Sequence, residues 1–256
     1  MVSQCSFDSH GRIGLNGVIN MKNRVRYYVF LPVYFFLLAA FLLVAIGGSK
    51  VVSVLSLNAP ILREKTVIID AGHGGVDGGA TSCTGVLESR FNLEIALRLE
   101  DLCHLLGLKT EMIRRTDCSV YTRGETIAQK KVSDLKERVR IVNEASNGVL
   151  ISIHQNHFAD SKYAGAQVFY APTDGSQQLA MKLQSALVSA VNEGSNRKIK
   201  KANGVYLMQN IRSTGVLIEC GFLSNPQEEY LLRSPEYQKK LCAVIACTVS
   251  SHLFDT

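Results

Sequence analysis

The sequence predicts an α/β domain, one sheet covered by helices on both faces, preceded by a single N-terminal transmembrane helix. Three observations predict it. Short apolar runs alternate with helical patterns from residue 65 onward, the excess of positive charge gathers at the N-terminus, and an uncharged stretch of bilayer length follows that charge. Of the 256 residues, 46% are hydrophobic and 20% charged, enough apolar material for a packed core and too little charge for a disordered chain. No repeat, low-complexity tract or second linker interrupts residues 65–256, so a single domain is expected there.

The N-terminal elements come first. Residues 1–50 hold five of the 28 Lys/Arg and one of the 22 Asp/Glu, so most of the +6 net charge sits there and residues 51–256 are nearly neutral. That balance gives no electrostatic case for nucleic acid as a partner. Residues 27–47 carry no charge and, as a helix, span about 30 Å, the thickness of a bilayer core. Lys22, Arg24 and Arg26 precede them, which places residues 1–26 in the cytoplasm and the rest of the chain outside. The apolar stretch exceeds that of most cleaved leaders and no A-x-A site follows, so it reads as an uncleaved signal-anchor. Residues 48–64 form a tether. Cys103, Cys242 and Cys247 fall in helical patterns, where buried thiols are the usual reading, and no structural disulfide is expected.

From Lys65 the elements alternate. Strand candidates are 66–70, 108–113, 149–153, 166–171, 204–208 and 215–220. Helices are marked by apolar residues three or four apart: Phe91, Ile95, Leu99, Leu102 and Leu106; Val132, Leu135, Val139 and Val142; Leu179, Leu183, Leu187 and Val191; Tyr237, Leu241, Ile245 and Thr248.

Three chemistry-bearing side chains stand just past apolar runs. They are His73 after Thr66–Asp70, His154 after Val149–Ile153, and Glu219 after Gly215–Ile218. Ligand sites in open α/β sheets lie outside the carboxyl ends of the strands, so these distant residues can converge. Two imidazoles and a carboxylate suit catalytic zinc with an open position, and a further carboxylate can act on water there. The glycines around His73 allow tight backbone turns, but the run lacks the G-x-G-x-x-G and Gly-Lys-Ser/Thr patterns of phosphate loops. Of His154 and His157 only one is expected to bind, because neighbouring strand residues face opposite ways; His154 leaves the apolar run directly, and His157 reads as rim. Asn156 is a candidate for orienting a ligand or the substrate. Glu219, past a buried strand, reads either as a structural ion pair or as a base beside a metal-bound water. Glu88 opens a helix, where any glutamate is favoured by the dipole, and Asp70 and Asp77 are rival oxygen ligands. The basic run Arg197–Lys201 reads as a solvated loop that can also attract an acidic wall polymer.

Residues 66–253 resemble the zinc-dependent N-acetylmuramoyl-L-alanine amidases of the type-3 family. The matching phrases, in order, are DAGHGGVDGGA, LESRFNLEIALRL, LKERVRIVNEA, ISIHQNH and LIECGFLSNPQEEYLL. The resemblance implies a mixed, mainly parallel sheet and makes residues 65–256 the catalytic domain. It implies zinc bound by His73, Glu88 and His154, with Glu219 as the catalytic carboxylate. The implied substrate is peptidoglycan, cut between the lactyl group of muramic acid and L-alanine. The phrases AGHGG and GAQVFY, the lone anchor and the lack of wall-binding repeats are most like the germination-type, spore-cortex amidases. There, stem-peptide removal precedes formation of muramic-δ-lactam. Family members are often controlled by other proteins, so an exported activating partner is a further expectation. Ala71, Ile113 and His157 depart from common family wording; none is one of the four site residues. A zinc exopeptidase on ordinary peptides and a non-catalytic wall-binding scaffold are the competing readings.

Overall fold

The computed structural model describes residues 65–145 and 147–255. The expected cytoplasmic segment 1–26, anchor 27–47 and tether 48–64 lie outside the described residues. Among the described residues no helix is long and apolar enough to cross a membrane.

Six strands form one sheet in the order β2-β1-β3-β6-β4-β5. They are β1 (Thr66–Ala71), β2 (Lys109–Met112), β3 (Gly148–Asn156), β4 (Gln167–Tyr170), β5 (Lys200–Lys201) and β6 (Thr214–Phe222). β2, β1, β3 and β6 run parallel, whereas β4 lies antiparallel to β6 and β5 parallel to β4. The sheet is therefore mixed and mainly parallel, as the resemblance implied. The central strands are buried on both faces, and their sequences are correspondingly near-continuous apolar runs.

The helices are α1 (Glu88–Leu105), α2 (Ile127–Glu144), α3 (Ser176–Ala190), α4 (Tyr206–Asn210), α5 (Pro226–Arg233) and α6 (Pro235–Phe254). On one face α1 and α3 pack against α6. Ile95, Leu99, Leu179, Leu183, Leu241 and Ile245 are fully or almost fully buried there with Val67, Ile69, Ile151 and Ile218. Each such side chain contributes roughly 1.5–3 kcal/mol of transfer free energy. On the other face α2 and α4 cover Ile68, Leu150 and Leu217. Helices thus cover both faces, as expected.

Five local expectations change. Residues 204–208 do not form a strand: Tyr206–Asn210 is a helix, because Leu207, Met208 and Ile211 bury together at helical spacing. A short apolar run fits either period, and packing decides between them. The sheet edge is taken instead by Lys200–Lys201, inside the run read as a solvated loop; both lysines are exposed, and lysine on an edge strand discourages further pairing. Helix α5 was not anticipated, although Asn225 caps it and Pro226 occupies its first turn. In α2 the helix forms with a Thr126–Gln129 capping box, but Val132 and Leu135 are exposed and Ser133 and Arg138 are buried. Val142 is fully buried and Val139 packs on the same core, so the apolar stripe holds over the second half of the helix, while an ionic network lines the inner face of the first half. Cys103 and Cys242 are buried, whereas Cys247 is exposed.

Candidate metal centre

The register of the sheet places the site. His154 on β3 and Glu219 on β6 are direct Cα partners near the carboxyl ends of adjacent parallel strands. Parallel neighbours in register point their side chains to the same face. One strand over, β1 ends at Ala71 and the chain turns through Gly72 to His73. His73 has φ 60°, a left-handed conformation uncommon for a non-glycine residue. The surroundings hold it there: Arg138 Nη2 donates to its carbonyl at 2.7 Å, and Gly74 and Asp77 exchange backbone hydrogen bonds at 2.7 and 3.1 Å. Such strain persists only where the structure over-determines it.

The loop then returns its chain to α1, whose first residue is Glu88. No side chain caps this helix; the amides of Glu88 and Ser89 donate to Ala80 O and Gly78 O at 2.8 and 3.0 Å. Glu88 reaches across the strand ends. His73 Nε2 lies 3.2 Å from its Oε2, and His154 Nδ1 lies 3.0 Å from its Oε1. His73, Glu88 and His154 each offer a ligand atom within 4.8 Å of the other two. An N₂O donor set of this size fits a zinc ion with a position left over for water or substrate.

The carboxylate of Glu88 is held on all sides. Ala80 N donates to Oε2 at 3.0 Å; Asn92 Nδ2 and Gln155 N donate to Oε1 at 3.1 and 3.2 Å. Asn92 also donates to Gly72 O at 3.1 Å and accepts from Gln155 Nε2 at 3.2 Å, joining the two chain segments that carry the histidines. Burial works against the charge of Glu88, but the two imidazoles facing it outweigh burial and hold its carboxyl far below the usual range. Burial also pulls His73 down, yet the Glu88 and Asp77 carboxylates prevail and raise it from 6.5 to about 9.

The rival oxygen ligands have other partners. Asp77 Oδ2 lies 2.9 Å from His73 Nδ1, and its Oδ1 pairs with Lys131 at 2.7 Å. It therefore orients His73 and leaves Nε2 for the metal position, a carboxylate–histidine arrangement common around zinc. Asp70 pairs with buried Arg138 and accepts from Ser152 at 2.6 Å. Arg138 also holds Asp134 at 2.6 Å. Arg114 donates to Ala71 O, Gly72 O and Ser89 O at 2.8, 3.0 and 2.9 Å, fixing the turn before His73. Asp70 and Asp77, expected as rival ligands, thus act as supports, and the sequence offered no signal for Arg114, Arg138, Asp134 or Asn92. His157 is exposed and outside the three-residue cluster.

Two glycines leave room for these three side chains. A Cβ on Gly72 would lie 2.2 Å from His154 Nε2. A Cβ on Gly79 would lie 2.6 Å from Glu88 Oε2 and 2.7 Å from His73 Cδ2.

Glu219 differs from the other three. Its Oε2 is buried and has no hydrogen-bond partner among the described residues. Burial, reinforced by the like charge of Glu88 and opposed by the imidazoles, raises its carboxyl from 4.5 to about 7. The ion-pair alternative for Glu219 has no support in this geometry: among the described residues no cation is bonded to it. A carboxyl poised near neutrality beside a metal-type cluster suits proton transfer.

Residues 67–251 match the N-acetylmuramoyl-L-alanine amidase family Amidase_3. The germination-specific N-acetylmuramoyl-L-alanine amidase of Bacillus subtilis is 38% identical over 186 residues, covering 72% of this chain and 78% of that one. Among solved structures, the CwlD amidase of Clostridioides difficile in complex with the GerS lipoprotein is 37% identical with a TM-score of 0.71, covering 75% of this chain and all of that one (100%). A second N-acetylmuramoyl-L-alanine amidase, from Clostridium difficile 630, is 32% identical with a TM-score of 0.65, over 75% of this chain and 97% of that one.

Proposed function

The chain belongs to the N-acetylmuramoyl-L-alanine amidase family, in its germination type, and from that premise we propose that it cleaves peptidoglycan with zinc held by His73, Glu88 and His154 and with Glu219 as proton carrier. The observation that carries the reading is the convergence of the three ligand atoms beside the unpartnered Oε2 of Glu219. When bound, zinc supplies Lewis acidity, acidifying a water and drawing charge from the substrate carbonyl.

The residues of the chain do the rest. Asp77 keeps His73 turned with Nε2 inward, and Asn92 with Gln155 keeps Glu88 from rotating away. Glu219 Oε2 takes a proton from the attacking water and returns it to the nitrogen of the departing alanine. The C–N bond breaks, leaving a lactyl carboxylate on the glycan and a free amino terminus on the stem peptide. A carboxyl near 7 loads and unloads a proton with little driving force in either direction.

Three finer statements extend the proposal. The substrate is spore cortex, and the bare muramic residue is consumed by a separate deacetylase on the way to muramic-δ-lactam. The chain is anchored by residues 27–47 with the catalytic domain outside the cytoplasm. An exported protein assists it; a lipoprotein accompanies the similar Clostridioides difficile amidase.

The test pairs metal analysis with product identification on purified peptidoglycan. Glu219→Gln is expected to keep its zinc and lose turnover by at least about a hundredfold, the scale of general acid–base catalysis. Mass analysis of wild-type digests is expected to show free stem peptides and peptide-free glycan. A Glu219→Gln enzyme of near-normal rate removes Glu219 from the mechanism. Release of single amino acids from ordinary peptides would mark an exopeptidase instead.

A further inference from the structure

A cleft of about 180 Å³ opens between α2, α4 and β6, and both His73 and His154 stand in its wall. Leu135, Val205, Leu207 and Leu217 supply its apolar wall. Small-molecule pockets usually measure about 300–1,000 Å³, so this recess is small for one and suits a short side chain. Whatever enters it lies against the proposed metal ligands, which makes it the seat of one of the two groups flanking the cleaved bond.

The charges lining the cleft narrow the choice. Asp70 and Asp134 are both spent on buried Arg138. Asp77 is shared between His73 and Lys131. Lys131 is different: its side chain is 46% exposed and Nζ sits 2.7 Å from Asp77 Oδ1. An ammonium has three donors, and Asp77 accepts from one of them. The same contact holds the long side chain at the cleft, so a second acceptor meets a group already ordered.

Resting on the muramoyl amidase reading, we propose that this cleft receives the peptide side of the scissile amide, with alanine against the apolar wall, and that Lys131 binds a carboxylate on the residue that follows alanine. A glutamate linked through its side chain offers its α-carboxylate there. The amidated form, isoglutamine, offers a neutral group that cannot pair with the ammonium. Lys131 is thus a specificity residue that distinguishes acidic from amidated stem peptides.

The experiment uses two soluble muropeptides that differ only in this carboxylate or amide, with zinc-loaded wild-type, Lys131→Met and Lys131→Arg proteins. Wild type is expected to favour the acidic substrate by about tenfold in kcat/KM, mostly through KM, the scale of a hydrogen bond to a charged group. Lys131→Met is expected to bring the ratio near one, and Lys131→Arg to restore part of it. Calorimetric binding of both muropeptides to Glu219→Gln, with and without Lys131→Met, should give the same ratios without turnover. A Lys131→Met protein that slows on both substrates equally, with weakened zinc affinity, overturns the proposal by showing that Lys131 acts through Asp77 on His73. Equal wild-type rates on both substrates overturn it while leaving the amidase reading intact. Hydrolysis of neither substrate overturns the reading on which it rests.

Discussion

Replacing Glu219 by Gln should make the metal-free protein more stable in alkaline solution while removing its activity. The sign follows from the carboxyl. Below pH 4.5 it is protonated in both the unfolded and the folded chain and contributes nothing. Above 4.5 the unfolded chain ionises first, and the folded state falls behind until its own value, about 7, is passed. At pH 8 the handicap is complete. A rise from 4.5 to about 7 corresponds to at most about 3 kcal/mol. Glu219 is only partly shielded, and solvent reaching it screens some of that, so a gain of about 1–3 kcal/mol is expected. Glutamine is close in shape, and neither residue has a ready partner at the buried Oε2 position, so that deficit is common to both. For a domain of this size the gain raises Tm by about 2–4 °C per kcal/mol, or about 2–12 °C in all. Thermal melts of chelator-treated wild type and Glu219→Gln, followed by circular dichroism at pH 4 and pH 8, make the measurement. A variant no more stable than its parent at pH 8, or equally stabilised at pH 4, would refute the idea that burial of this charge strains the apo fold.

Two further predictions concern the ligands. His73 holds a proton in the metal-free site up to about pH 9, so zinc must displace it; apparent zinc affinity should climb about tenfold per pH unit from 7 to 9 and level off above. Titration calorimetry in buffers of different ionisation enthalpy should then report about one proton released at pH 7, and an affinity flat across that range would contradict the assignment of His73. Gly72→Ala should weaken zinc binding by about 10–100-fold with the secondary structure retained, since its methyl would occupy the place of the His154 ring 2.2 Å away; unchanged zinc occupancy at limiting metal would show that the ring has another place to go.

The fold and the four proposed site residues were legible in the chain for different reasons. Buried parallel strands read as apolar runs, so β1, β3 and β6 announced themselves as Val/Ile/Leu stretches, and the polar residues where those stretches stop stood out as His154 and Glu219, both still inside their strands near the carboxyl ends, with His73 just beyond β1. Glu88 carried no such mark. A glutamate in a first helical turn is ordinary, and it was the family phrase rather than spacing that singled it out. The run at 204–208 misled because five residues do not separate a strand period from a helical one. The exposed Val132 and Leu135 misled because an amphipathic pattern shows which residues cluster, not whether core or cleft lies beside them.

By itself, the order of residues determined the alternation of strands and helices, the apolar central strands and the places where polar groups escape from them, because these depend on local period and on the expense of burying charge. Only the tertiary structure decided which polar groups meet. The pairing of His154 with Glu219, the turning of Asp77 from possible ligand to support of His73, and the enclosure of Glu88 by Asn92 and Gln155 all join segments distant in the chain. Such contacts rest on strand register and on a glycine-lined approach of a few ångströms, quantities that exist only once the sheet has closed around them.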